Sequence, residues 1–339
     1  MKLILSLLGI YILVSCSGNK SGGANKDGAN TQDGNENKMI VDSKYTASSE
    51  QKQQYTDLRI YELELYLKDE IKEEYSPFIS LTDGFIFSDS PDSVIIDKKY
   101  FGDNEFDDYH RLDSEHRKRF LAQLGVSEDD KVFVYNYMID SLFSYTVKEL
   151  PVIARANDDS YNTPATQYDY LVGFDLNEKY SVSDVDAAIE NFVYIGKENP
   201  FAIGKLKPFV WKAADKLPEP IADKFDKADY QDESKVYSAE ADDNIFFYAP
   251  MTGKFFVVDK AWENVLYQTV FYQNDDAGLT PLNYTNEDFP DEVYQWTGVL
   301  FKGKPPVIFG FEFLTSGCGE IRFLDKEKTY IRILCDNRG

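Results

Sequence analysis

Histidine is scarce in this chain, which has 339 residues and only two histidines, His110 and His116. Most acid–base pairs, catalytic triads and transition-metal sites use histidine. The two histidines are six positions apart and flank the expected start of a helix, whereas a metal-binding pair on a helix is spaced i, i+4. We therefore expect both to lie at the solvated surface of the helix entry. The sequence indicates no catalytic residue, metal ligand or cofactor.

Basic residues are also few, since 36 Lys and Arg face 59 Asp and Glu and give a formal charge of −23. Binding to nucleic acid or to anionic lipid headgroups depends on clustered Lys and Arg, which neutralise phosphate. This balance argues against nucleic acid as a partner, and against direct binding to headgroups. The simplest use of so acidic a surface is to keep the protein soluble.

The N-terminus has one short apolar run, from Leu3 to Val14, after a single positive charge at Lys2. A helix needs roughly 20 apolar residues to cross a bilayer, but a run of this length is typical of a secretory signal peptide. The segment Leu13–Cys16 reads LVSC and resembles the lipobox of bacterial lipoproteins, in which an aliphatic and two smaller residues precede a cysteine. The resemblance implies that residues 1–15 are a signal peptide, and that Cys16 carries palmitate-type acyl chains that anchor the protein to a membrane.

The residue after the cysteine bears on the destination, because in some bacteria an Asp there retains such lipoproteins in the inner membrane. This chain has Ser17 instead, so the resemblance implies the outer membrane and leaves its two faces undecided. Residues 17–38 hold no aliphatic side chain larger than Ala and no aromatic ring, and such a segment cannot form a core. We therefore expect residues 16–52 to be the lipidated cysteine and a flexible tether.

Lipidation would leave two cysteines, Cys318 and Cys335, as an even pair in an oxidising compartment, which predicts a disulfide. The residues around them are typical of a hairpin with its turn at 325–328. Pairing Ile321 with Ile333 would put the apolar side chains on one face of that hairpin. The same register would point the two cysteines to opposite faces, so the disulfide requires a bulge.

Alternating apolar patterns dominate the rest of the chain and predict an α+β fold with mainly antiparallel sheets, a few helices and a β-rich C-terminal third. A hairpin is expected to join residues 245–248 to 254–258. The predicted helices run from residue 113 or 114 to Gly125, from Ser183 to Gly196, and from Lys260 to Tyr272.

The domain organisation follows from one irregular stretch. Residues 205–234 mix proline with charge and show no clean period, which indicates a linker. This would separate an α+β domain at 53–204 from a β-rich domain at 235–339. A chain of this length is also compatible with one large domain that spans both.

Two functions remain open at this stage. The anchor, the tether and the scarcity of histidine favour a noncatalytic envelope protein that binds another envelope protein or contributes to assembly. The alternative is a glycan hydrolase that uses two carboxylates, or a glycan-binding protein with a platform of aromatic rings. Trp211, Trp262 and Trp296 could form that platform, although tryptophans are more often core residues, and we expect a core role for them.

Overall fold

The computed structural model describes residues 53–69, 74–84, 96, 109–157, 166–176, 180, 190–225, 235–272, 277–283, 293–314 and 317–335. The predicted signal peptide, Cys16 and the predicted tether lie outside these residues. Within them the protein has 21 strands and two helices. The sheets are mainly antiparallel, which confirms the expected fold class.

The largest sheet has nine strands and joins the two halves of the sequence. The pair β1–β21 runs parallel, with Ile60 beside Ile333, and the other neighbours in this sheet are antiparallel. Its strand order is β10 (Leu206–Pro208), β17 (Trp296–Gly298), β18 (Val307–Phe309), β20 (Glu320–Phe323), β21 (Tyr330–Leu334), β1 (Ile60–Glu62), β9 (Asn191–Gly196), β5 (Lys131–Asn136) and β6 (Ser141–Thr146).

Two five-stranded sheets and a two-stranded ribbon complete the described strands. The first five-stranded sheet has the order β2 (Glu64–Asp69), β3 (Glu74–Ser80), β8 (Tyr170–Asp175), β7 (Val152–Ala156) and β4 (Tyr109–Arg111). The second is a meander of β11 (Lys212–Ala213), β12 (Tyr237–Ala241), β13 (Asn244–Ala249), β14 (Lys254–Asp259) and β15 (Val265–Val270). The ribbon pairs β16 (Ala277–Leu279) with β19 (Glu312–Leu314).

Helix α1, Ser114–Leu124, has the ends that the sequence predicts. The Asp113 carboxylate accepts the backbone N–H groups of Glu115 and His116 at 2.9 and 3.0 Å, which satisfies donors that a helix start leaves unpaired. Gly125 ends the helix at φ 70°, a left-handed conformation that glycine adopts at little cost. The buried face of the helix consists of Phe120, Leu121 and Leu124.

The two other helix predictions fare differently. The prediction of a helix at Lys260–Tyr272 is wrong, because this stretch contains strand β15. Its side chains alternate, with Tyr267 and Phe271 buried and Leu266 exposed, which is the pattern of a half-buried strand. Residues 191–196 form β9 rather than the end of a helix, and residues 181–189 lie outside the described ones.

The stretch for which we predicted a linker contributes to the core. Its described part contains β10, β11 and the single-turn helix α2, Glu219–Ala222, while residues 226–234 lie outside the described ones. Phe209 and Trp211 are almost fully buried. Residues 51–339 form one compact unit.

Two of the hydrophobic cores differ in composition. The core under α1 is mostly aliphatic and includes Leu63, Ile79, Leu81, Leu121, Val132, Val134, Val152 and Val172. The core under the meander, here called the aromatic core, is dominated by rings and consists of Phe209, Trp211, Ala239, Phe246, Tyr248, Phe255, Val257, Tyr267, Phe271, Ile308 and Phe311.

Candidate functional site

A kink after β18 opens a cavity where this strand diverges from β20; the two are neighbouring interior strands of the nine-stranded sheet. Strand β18 pairs with β20 only as far as Ile308 opposite Arg322, because the chain then turns at Gly310 with φ 80°. A Cβ atom at Gly310 would lie 1.9 Å from the backbone oxygen of Tyr294, so this turn requires glycine. The kink carries Phe311 into the aromatic core and separates the following strand, β19, from β20.

The resulting gap, here called the β20 cavity, has a volume of ≈ 270 Å³. Its walls come from the end of β15, the β18–β19 kink and strand β20. The lining residues are Phe271, Tyr272, Ala277, Ile308, Phe309, Gly310, Phe311, Glu312, Leu314, Cys318, Gly319, Glu320 and Arg322. The lining therefore combines apolar side chains with three charged ones, Glu312, Glu320 and Arg322.

Arg322 reaches the cavity because of the alternation along β20. Successive side chains of a strand point to opposite faces, so Ile321 and Phe323 enter one core while Glu320 and Arg322 take the other face. The Arg322 side chain is only 9% exposed. A guanidinium buried to this extent needs a counter-ion and hydrogen-bond partners.

Two carboxylates lie beside the Arg322 guanidinium. Its Nη2 donates to Oε2 of Glu312 at 2.7 Å, and its Nε lies 3.5 Å from Oε2 of Glu320. A longer contact of 3.5 Å joins Nη1 to the Thr269 hydroxyl. Arg322 and the two glutamates thus form a compact group with a formal charge of −1, open to the cavity.

A column of stacked rings supports the arginine. The guanidinium carbon lies 4.5 Å from the ring centre of Phe271, a favourable cation–π geometry. Phe271 stacks on Phe311, with ring centres 4.5 Å apart and an interplanar angle of 2°. Phe311 in turn meets Tyr248 edge to face at 5.4 Å. The aromatic core therefore fixes the floor of the cavity, and Arg322 with it.

Two tyrosines of the aromatic core lie close to the charged group. Burial raises the pKa of Tyr267 to about 12, although Arg322 nearby acts in the opposite direction. Burial, and to a smaller degree the negative charge of Glu312, also raise the pKa of Tyr248. The Tyr248 hydroxyl has no hydrogen-bond partner among the described residues. Both phenols stay protonated at neutral pH, and Tyr248 keeps an unused donor and acceptor.

The rim of the cavity is apolar and exposed. Of the lining residues, Tyr272 is 58% exposed and Leu314 is also solvent-accessible, while Phe313 between Glu312 and Leu314 takes the other face of β19. The backbone N–H of Tyr272 donates to Oε1 of Glu312 at 3.1 Å, so the rim and the charged group are connected. The Phe313 ring covers Gly278 so closely that a Cβ atom there would lie 2.1 Å from it.

The predicted disulfide lies at one end of the cavity. Cys318 and Cys335 are joined, with their Cα atoms 5.5 Å apart. The predicted register of the hairpin is wrong, because Ile321 pairs with Ile331 rather than with Ile333. Cys318 precedes β20 and Cys335 follows β21, so strand alternation does not dictate where their side chains point. The expected conflict, in which the two cysteines would face opposite sides of the hairpin, therefore does not arise.

The other residues considered from the sequence do not come together. The three tryptophans lie in three separate clusters, with Trp211 and Trp296 buried and Trp262 half-buried, so they form no platform. His110 is buried on β4, with its ring 5.4 Å from that of Tyr170, and its expected surface position is wrong. In the described ranges, no three His, Cys, Asp or Glu side chains are grouped so as to hold a metal ion.

Sequence reasoning missed the charged group of the cavity. The run Glu320–Phe323 shows that Glu320 and Arg322 share a face, but ordinary surface strands show the same alternation. Glu312 and Tyr272 lie on other elements, and no spacing connects them to β20. Gly310 between apolar residues is a weak signal, because an isolated glycine in a strand pattern marks a bend or a close approach.

Comparison with known proteins gives no relative, since no family model, curated protein or solved structure matches this chain. Neither helix of the described residues has the length and apolar character that a membrane span requires.

Proposed function

We propose that this protein is a lipid-anchored component of the cell envelope, held in the outer membrane by acyl chains on Cys16, and that its folded body binds another envelope component without catalysing a reaction. The observation that carries the proposal is the sequence Leu13–Cys16, which lies at the end of a short apolar run and resembles a lipobox. Ser17 after the cysteine favours the outer membrane.

The β20 cavity supports a binding role over a hydrolytic one. Canonical glycoside hydrolysis needs one carboxyl group that gives up a proton and a second that acts as base or nucleophile. Glu312 and Glu320 both lie against the guanidinium of Arg322. This shared contact with one guanidinium holds both carboxylates in place and suits them for accepting hydrogen bonds from a ligand.

The proposal is tested by the intact mass of the protein purified from bacterial membranes. We expect a mature chain that starts at Cys16 and carries acyl chains, and that sediments with the outer-membrane fraction. Cys16→Ala should lose both the added mass and the sedimentation, whereas the neighbouring change Ser17→Ala should keep the lipid. A wild-type protein that retains residues 1–15 and carries no lipid would overturn the proposal.

A further inference from the structure

We infer that the β20 cavity binds one ring of a neutral, hydroxyl-rich carbohydrate, with Arg322 and Glu312 as hydrogen-bonding partners and Tyr272 as the ring on which the sugar stacks. The inference rests on the proposed binding function and names its ligand class. It also removes the need for a tryptophan platform, since the exposed ring is a tyrosine.

The charges of the cavity select a neutral ligand. Two carboxylates and a net charge of −23 over the whole chain repel an anion. A cation would have to lie next to the guanidinium of Arg322, which already occupies the space between the glutamates. A hydroxyl group both donates and accepts, so a ligand with several hydroxyls can bind the arginine and the carboxylates at the same time.

Arg322 has N–H groups that can donate hydrogen bonds to such a ligand. A guanidinium has five N–H groups, and here one makes a short bond to Glu312, one makes a long contact to Thr269 and one faces Glu320. The other two have no hydrogen bond to any residue in the described part of the chain. Charge-assisted hydrogen bonds are stronger than neutral ones, so a sugar hydroxyl that reaches these N–H groups gains more than it would from a neutral donor.

The carboxylate side of the cavity is fixed in position before any ligand arrives. Both oxygens of Glu312 are engaged, one by Arg322 and one by the backbone N–H of Tyr272. Each carboxylate oxygen has a further lone pair that can accept a hydroxyl. Preorganised groups of this kind lower the entropy that binding costs.

The aromatic rim supplies the apolar half of a sugar site. One face of a sugar ring is made of C–H groups, and an exposed aromatic ring with a polar tip is suited to cover it. Tyr272 lines the cavity, and more than half of its surface is exposed. Leu314, which also lines the cavity, extends the exposed apolar surface beside it, where further rings of an oligosaccharide can lie.

The size of the cavity limits what enters it. Its volume of ≈ 270 Å³ falls just below the roughly 300–1,000 Å³ of pockets for drug-sized ligands. A single ring fits this space, while the rest of a longer glycan remains outside against the rim. The stacked column Arg322–Phe271–Phe311 closes the floor, so the pocket cannot deepen without disrupting the aromatic core.

The test uses the full mature chain in detergent and four probes, the methyl glycosides of glucose, galactose, mannose and N-acetylglucosamine, followed by saturation-transfer NMR and calorimetry. We expect at least one probe to bind. Arg322→Met should weaken that binding about tenfold or more, the effect of losing hydrogen bonds to a charged group, and Tyr272→Ala should weaken it as well. The matched controls are Arg119→Met on α1 and Tyr75→Ala on β3, both outside the cavity, and they should bind like the wild type.

Tyr272→Ala keeps the test decisive if Arg322→Met fails to fold, because an exposed rim residue can be truncated without opening the core. Absence of binding by the wild type to all four probes, or equal binding by Tyr272→Ala and Tyr75→Ala, would overturn the inference. Neither result would touch the lipid on Cys16, so the failure of this inference is distinguishable from that of the proposed anchor. New reducing ends released from an oligosaccharide by the wild type, but not by the Arg322 variant, would support the ligand class and overturn the noncatalytic part of the proposed function.

Discussion

Two largely buried arginines, Arg117 on helix α1 and Arg322 in the β20 cavity, differ in how their hydrogen-bond donors are used. Arg117 binds both oxygens of Glu128 at 2.8 and 2.7 Å, and the backbone oxygens of Leu150 and Val147 at 2.7 Å each. Arg322 makes one bond of comparable length, to a carboxylate, and its other contacts are 3.5 Å long. All of these Arg117 bonds hold the fold together, whereas Arg322, which lines the β20 cavity, has two N–H groups without a hydrogen bond among the described residues.

The number and length of their hydrogen bonds distinguish an arginine that stabilises the fold from one that can bind a ligand. Burial alone does not separate them, since their side chains are 15% and 9% exposed. Arg117 connects the helix to the turn at Val147–Glu149, while Arg322 packs on Phe271 and keeps two N–H groups without a hydrogen bond among the described residues.

The largest expected loss of stability follows from removing the hydrogen bonds of Arg117. Arg117→Met removes four hydrogen bonds, two of which satisfy backbone carbonyl groups, so we expect the free energy of unfolding to fall by about 3 kcal/mol. Urea denaturation measures this loss, with Arg119→Met on the same helix as the control that should stay within about 0.5 kcal/mol of the wild type. Equal stabilities for the two variants would show that the Arg117 contacts are dispensable.

A smaller loss of stability is expected at Arg322. Arg322→Met gives up one short charged bond, but the methionine can still pack on Phe271, and Glu312 can take a cavity water in place of the guanidinium. We expect the free energy of unfolding to fall by about 1.5 kcal/mol, measured by the same denaturation. A loss as large as that for Arg117→Met would mean that the cavity arginine is mainly structural, and would weaken the case for a ligand.

The smallest expected effect is a pH-dependent contribution of the Arg117–Glu128 ion pair to stability. Hydrogen bonding from Arg117 holds the pKa of Glu128 below its ordinary value of 4.5. A carboxyl whose pKa is lower in the folded state stabilises the fold above its unfolded pKa, and this contribution is lost as the pH falls through the folded value. Glu128 is about half exposed, so the contribution is below about 1 kcal/mol. We therefore expect Glu128→Gln to be less stable than the wild type at pH 7, with the gap closing as the pH falls below the ordinary value of 4.5 and through the lowered pKa. A gap independent of pH would exclude the ion pair as its cause.

The local elements of this fold could be predicted from the sequence, because their signals lie within the elements. Asp113 and Gly125 mark the ends of α1, and the alternation in 245–248 and 254–258 predicts the β13–β14 hairpin, which the structure confirms. The helix predicted at Lys260–Tyr272 is wrong because an apolar stripe at helical spacing coexists there with strand alternation. Pairing with β14, a tertiary effect, decides between the two.

The cavity could not be predicted, because it depends on which strands become neighbours. Arg322 meets Glu312 only after β18 pairs with β20 and the chain turns away at Gly310. Thr269 reaches the same guanidinium from a different sheet. Each of these residues looks like an ordinary strand residue in the sequence. They come together only because of the order in which the strands pair, which the sequence does not show.

The parallel pairing of β1 with β21 joins two strands from opposite ends of the described chain, and this separation constrains the order in which the sheet can form. Strand β1 lies between β9 and β21, and Ile60 is placed beside Ile333, so the first described strand cannot acquire both neighbours until the last one is available. Contacts between such distant segments form slowly, because a long loop must close before any pairing compensates for it. Local hairpins such as β13–β14 can form early, but the nine-stranded sheet closes only when β21 is available to β1.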